Sequence, residues 1–161
     1  MAKHKVPQSV QEWKWNPDWT KDEELKNKYR NDPIAANELL YNIGWTLVPL
    51  YEQFASGNVV MFSAMCLAKE MWDATNFARL WSESNHEEVD TYLQEALGHL
   101  ADAFFMVESM WAWEKTTITA HASVSNSLKL GLNRIRKAIV TIDWYIYNLS
   151  SDGGADGTNS C

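Results

Sequence analysis

The most constraining feature of this chain is a row of seven apolar residues near its carboxyl end. Leu128, Leu132, Ile135, Ile139, Ile142, Ile146 and Leu149 repeat at steps of four and three. That period places them along one line of an α-helix and on no single face of a strand. A helix with such a stripe must bury it against other elements. The rest of the chain offers matching partners. Leu39, Ile43, Leu47, Leu50 and Phe54 share one face of a helix predicted from Pro33 to about Ser56. Val89, Leu93, Ala96, Leu100, Ala103, Val107 and Met110 share one face of a helix from about His86 to Lys115. A fourth helix is expected from Val59 to about Ser82. No strand alternation, phosphate-binding glycine loop or internal repeat is present, so the expected fold is all-α, an up-and-down four-helix bundle.

Local signals set the boundaries. Asp32-Pro33 is a helix start, an N-cap followed by proline at the first helical position. Pro49 is expected to kink the first long helix by removing a backbone donor, and Gly57-Asn58 to end it. Ser84-Asn-His-Glu87 has the spacing of a capping box. The Thr- and Ser-rich segment 116–125 has no clear period and reads as a turn. Three parts follow: an N-terminal arm over residues 1–33, the bundle over 34–149, and a flexible, disordered polar tail over 150–161. The arm has a short helix expected over Lys21–Tyr29, and Trp13, Trp15 and Trp19 are too apolar for a solvated segment. They should pack on the body or on a second subunit.

Composition bounds the function. Of 161 residues, 46% are hydrophobic and 22% charged, which suits one globular domain with its own core. The net charge of −7 argues against nucleic-acid or anionic-lipid binding, which needs clustered cations. Two cysteines, Cys66 and Cys161, make no disulfide framework. The first residues lack the apolar core of a signal peptide, and no apolar run is long enough for a membrane span. A cytoplasmic protein without membrane contact, and a homo-oligomer, is the expectation.

The helix predicted after Val59 carries an anomaly. Phe62, Cys66, Glu70, Asp73, Phe77 and Leu80 fall in one helical row, so two carboxylates interrupt an apolar line. The following helix repeats the pattern with Glu95, His99 and Asp102 at steps of four and three. Carboxylates three residues apart can present oxygens to one divalent cation such as Mg²⁺. Two readings stay open. Glu70, Asp73, His99 and Asp102 converge on a metal, or Glu70 pairs with Lys69, Arg79 or a cation on the last helix and Asp73 lies at the rim of the core. His99 alone reads equally as a core-edge histidine bonded to a carboxylate. It is not part of a Glu-x-x-His pair, so the di-iron pattern is absent. Lys129, Asn133 and Arg136 form a row that either meets phosphates or is a solvated face. Arg79 and His86, six residues between them, loosely suit a helical ribonuclease motif.

SAMCLAKEMWDATNFARLW and LQEALGHLADAFFMV resemble the paired acidic helices of the all-α nucleoside triphosphate pyrophosphohydrolases, the MazG-like and dimeric dUTPase-like enzymes. Glu70 and Asp73 match the first acidic pair, and Asn76 lies near a further acidic position of that family. Lys129-x-x-x-Asn133-x-x-Arg136 is similar to its Lys/Asn/Arg segment. The resemblance, over about residues 60–137, implies Mg²⁺-dependent hydrolysis of a nucleoside triphosphate to the monophosphate and pyrophosphate. Glu70 and Asp73 would be catalytic, and Glu70, Asp73, His99 and Asp102 would hold the metal. Asn76, Lys129, Asn133 and Arg136 would bind substrate. The second motif departs from the pattern: one register sets His99 and Asp102 on its positions, the other Ala96 and His99, and a carboxylate is missing in both.

ELLYNIGWTLVPLYEQF, DATNFA and the Trp-bearing last helix also resemble the four-helix accessory proteins of diversity-generating retroelements. Those proteins oligomerise and bind a polymerase and RNA. That resemblance implies a non-catalytic interaction or assembly protein, an oligomeric accessory or a viral or structural component, that works through its Trp-rich arm and helix surfaces.

Overall fold

A computed structural model describes residues 13–113 and 117–154. Among them the chain is all-α with no strand. A 3-10 turn, Pro17–Lys21, leads into α1 (Glu23–Asn31), α2 (Pro33–Ser56), α3 (Met61–Asn85), α4 (Glu87–Trp113) and α5 (Ile118–Gly154). No helix among the described residues is long and apolar enough to cross a membrane.

Short polar side chains fix the starts of α1 and α2, because the first turn of a helix leaves backbone N–H groups unpaired. The Asp22 carboxylate accepts from the Leu25 N–H and opens α1. Asp32 accepts from both Ile34 and Ala35, with Pro33 at the first position of α2, as its sequence signal required. The helical span of α2 continues through Pro49 to Gly57, whose φ of 76° lies in the left-handed region. There its N–H donates back to the Gln53 and Phe54 carbonyls. A residue with a Cβ would be strained at that position.

Three boundaries differ from the sequence expectation. Ser84 is not an N-cap: α3 runs on to Asn85, and a single extended residue, His86, joins it to α4. His86 supplies the cap instead, its Nδ1 accepting from the Val89 N–H at 3.3 Å. The turn expected over 116–125 is helical from Ile118 onward. Thr117 Oγ1 accepts from the Ala120 N–H, and Val124 is fully buried one turn before Leu128. The Thr and Ser side chains there hid the period because they contribute no hydrophobic signal. At the other end the α5 backbone stays helical to Gly154, past residue 150, the expected start of the tail; residues 155–161 lie outside the described residues.

The apolar rows of α2 and α4 are buried as their periods require, and that of α5 is buried from Leu128 through Ile142. Leu149 is exposed because α5, 37 residues long, outruns the 24-residue α2 and the 27-residue α4. α2 packs on α3 and α5, α4 on α3 and α5, and α1 lies against α3 and α2. α2 and α5 are antiparallel, since Asn37 meets Asp143 at 2.7 Å near one end and Ser125 donates to the Tyr51 carbonyl near the other.

α3 reaches the core through a different row from the one its large residues suggested. Ala64, Ala68, Met71, Ala74, Ala78 and Trp81 face inward. The row of Phe62, Cys66, Glu70, Asp73, Phe77 and Leu80 lies on the flank, with Phe62 and Cys66 exposed and Phe77 buried.

Candidate functional site

The residues singled out by sequence are spread over three places. On α3, Glu70 is half-buried and its Oε1 accepts a hydrogen bond from Trp13 Nε1 at 3.0 Å. Its partner therefore comes from the N-terminal segment, 57 residues away. Asp73 faces Lys69 one turn back, with Nζ 3.3 Å from Oδ2. Asn76 is exposed.

On α4, half-buried His99 and exposed Asp102 line a shallow hollow of about 380 Å³ with Glu95, Gly98 and Arg134. The cation in this hollow is Arg134 of α5, whose Nε is 3.3 Å from Glu95 Oε1. Sequence reasoning passed over Arg134 because it lies outside the Lys129, Asn133, Arg136 row. That row faces the α2 side. Lys129 Nζ stands 6.0 Å above the Tyr51 ring, and Arg136 lines a groove with Tyr41, Trp45 and Val48.

Glu70, Asp73, His99 and Asp102 do not form a common cluster. Among the described residues, no three His, Cys, Asp or Glu side chains come together in a group that could hold a metal ion. The donor chemistry agrees: Glu70 Oε1 accepts an indole N–H, and Asp73 lies against an ammonium. A Mg²⁺ site wants several oxygens free to turn toward one point, and this arrangement does not fit it.

The most connected carboxylate among the described residues is one the sequence did not single out. Asp90, near the start of α4, accepts from Arg79 Nε at 2.9 Å, Arg79 Nη2 at 3.1 Å, Ser82 Oγ at 3.1 Å and Gln94 Nε2 at 2.7 Å. Burial pushes its carboxyl pKa up, but these hydrogen bonds and the Arg79 charge more than offset that, and hold it below the usual value. The same hydrogen bond raises the Arg79 pKa. Arg79 also reaches Glu83. Its guanidinium is thus committed to fastening α3 to α4. With His86 acting as the α4 cap, the two residues of the ribonuclease-like spacing both have structural work.

Large apolar side chains are left uncovered at several places, Phe105, Trp113 and Ile118 among them, and two groups stand out. Trp45, Val140, Trp144 and Tyr147 are 48%, 56%, 61% and 60% exposed along the outer α2/α5 face. The Phe62 and Trp111 rings lie 5.7 Å apart, tilted to one another, near the start of α3 and the end of α4. No protein-family model, curated protein or solved structure matches the chain.

Proposed function

We propose that this chain is a non-catalytic helical interaction or assembly protein. In this reading α2 to α5 form an up-and-down four-helix bundle, and the N-terminal segment is an arm laid on α3. The cyclic packing of α2, α3, α4 and α5 supports the bundle. The exposed thiol of Cys66 suits a reducing, cytoplasmic setting.

The observation that carries the reading is the outer α2/α5 face. A run of Trp45, Val140, Trp144 and Tyr147 is costly to hold in water, and contiguous exposed apolar surface marks sites where a partner binds. Trp and Tyr bury large areas with few rotatable bonds, and they dominate binding hot spots. The acidic residues Glu70, Asp73 and Glu95, by contrast, have internal partners, which supports this reading over a nucleotide pyrophosphohydrolase.

Metal-dependent melting tests this. The interaction reading expects Mg²⁺ or Mn²⁺ to move the melting temperatures of wild type and Glu70→Ala equally. Binding to the folded state alone would raise the wild-type value with metal concentration. A rise confined to wild type would restore metal chemistry at Glu70.

A further inference from the structure

The α2/α5 face has a charge pattern that identifies an occupant. On α2, Ile34, Glu38, Tyr41, Trp45, Val48 and Glu52 follow one another at steps of four and three, so they share the outward row. Both charges in that row are acidic, and α2 has no Lys or Arg anywhere. On α5 the outward row runs through Lys129, Arg136, Val140, Trp144 and Tyr147, and both of its charges are basic. Of the two acids of α5, Asp143 points at Asn37 and lies 3.5 Å from the Tyr41 hydroxyl, and Asp152 falls beyond this face near the end of the helix. Its Arg134 and Lys137 turn the other way, to Glu95 and to the Tyr92 ring on α4.

The two rows border a groove of about 290 Å³ floored at Gly44 and lined by Tyr41, Trp45, Arg136 and Val140. A separate, wider hollow of about 830 Å³ lies nearer Gly57, at Ala55, Asn126 and Lys129. From Ile34 to Glu52 the face is about 27 Å long at 1.5 Å per residue, and two packed helices make it about 20 Å wide. The projected footprint, about 540 Å², is about two-thirds of the about 800 Å² that each partner contributes to a standard interface, which suits a weak, micromolar dimer.

We propose that the occupant is a second copy of this chain, bound face to face across a two-fold axis parallel to the helices. This operation sets α2 of one protomer against α5 of its partner and keeps matching levels opposite each other. Tyr51 is level with Ser125 and Lys129, so Glu52 meets Lys129 of the partner subunit. Gly44 is level with Leu132 and Arg136, so the Arg136 guanidinium lies over Trp45 of the partner subunit. The face is self-complementary because acid and base are segregated onto different helices, which is what an isologous contact requires. A two-fold axis across the helices instead would set α2 on α2 and bring Glu38 toward Glu52.

This proposal rests on the interaction reading above, and sedimentation equilibrium of the full chain tests it separately from metal-dependent melting. The expected result is a monomer–dimer equilibrium in the micromolar range for wild type. Trp144→Glu is expected to be monomeric with an unchanged circular dichroism spectrum. Glu52→Lys and Lys129→Glu should each weaken the dimer about tenfold, and the double variant should recover wild-type affinity to within a few-fold. A wild type that stays monomeric at every concentration overturns the second copy. So does an oligomer that Trp144→Glu leaves intact, or a charge swap that fails to rescue.

Discussion

Two aromatic faces of the molecule have been treated differently by the same chain. On α3, Phe77 is covered from outside: Trp15 packs edge-on against it at 5.7 Å and Tyr29 at 4.8 Å. Trp13 stacks beside Trp15, and its indole N–H is tied to Glu70. On the α2/α5 side, Trp144 and Tyr147 touch each other at 5.6 Å, yet both remain largely exposed. The N-terminal segment supplies a cover for one face, and no described residue does so for the other. Aromatic content therefore does not by itself mean a binding surface. What matters is whether the chain closes over it. Carboxylates follow the same logic, since Glu70 beneath the covering segment is an acceptor for Trp13.

The largest expected effect comes from breaking the covered face. Phe77→Ala removes a buried ring and should cost about 3 kcal/mol of unfolding free energy in denaturant titration. A near-neutral result would mean that Trp15 and Tyr29 do not close over α3 in solution. Next is the Arg79–Asp90 clasp that ties the same helix to α4. Arg79→Ala should cost about 2 kcal/mol, because a half-buried, charge-assisted pair is broken. It also carries a pH signature. The folded pKa of Asp90 is depressed, so its contribution is present above the unfolded value of about 3.9 and is lost as pH falls through the folded value. Wild type should therefore lose stability on acidification more steeply than Arg79→Ala. Parallel curves would contradict that linkage.

A smaller effect is expected from Trp13→Phe, which keeps a ring but removes the hydrogen bond to Glu70, at about 1 kcal/mol. Combined with Glu70→Ala the losses should be less than additive, since both changes remove one interaction. Strict additivity would show that the bond does not form. The smallest effect belongs to the open face. At a dilution that holds the chain monomeric, Trp144→Glu should alter stability by no more than about 0.5 kcal/mol. A loss comparable to Phe77→Ala would make that face core and erase the contrast.

Much of this architecture was legible in the sequence. The rows of α2, α4 and α5 announce themselves because their inward positions hold large aliphatic residues, and the Asp32-Pro33 and Gly57 signals act through local backbone chemistry. α3 misled because its buried row is mostly alanine, which carries little hydrophobic signal, while Phe62 and Cys66 on the exposed flank carry more. The start of α5 was obscured by Thr and Ser, whose side chains give no periodicity. The candidate site was legible only as a list of residue types. That Glu70 would be met by Trp13, or Glu95 by Arg134, depends on tertiary packing between distant segments, and no local spacing encodes it. Asp90 was missed for the same reason: three of its four hydrogen bonds come from Arg79 and Ser82 on the preceding helix.

A chain that works through its open face, and not through its carboxylates, should hydrolyse no nucleotide. The decisive assay is pyrophosphate release from a panel of ribo- and deoxyribonucleoside triphosphates in Mg²⁺ and in Mn²⁺, with wild type and Glu70→Gln side by side. No release above background is expected from either protein. Metal-dependent release by wild type that Glu70→Gln abolishes would contradict the interaction reading.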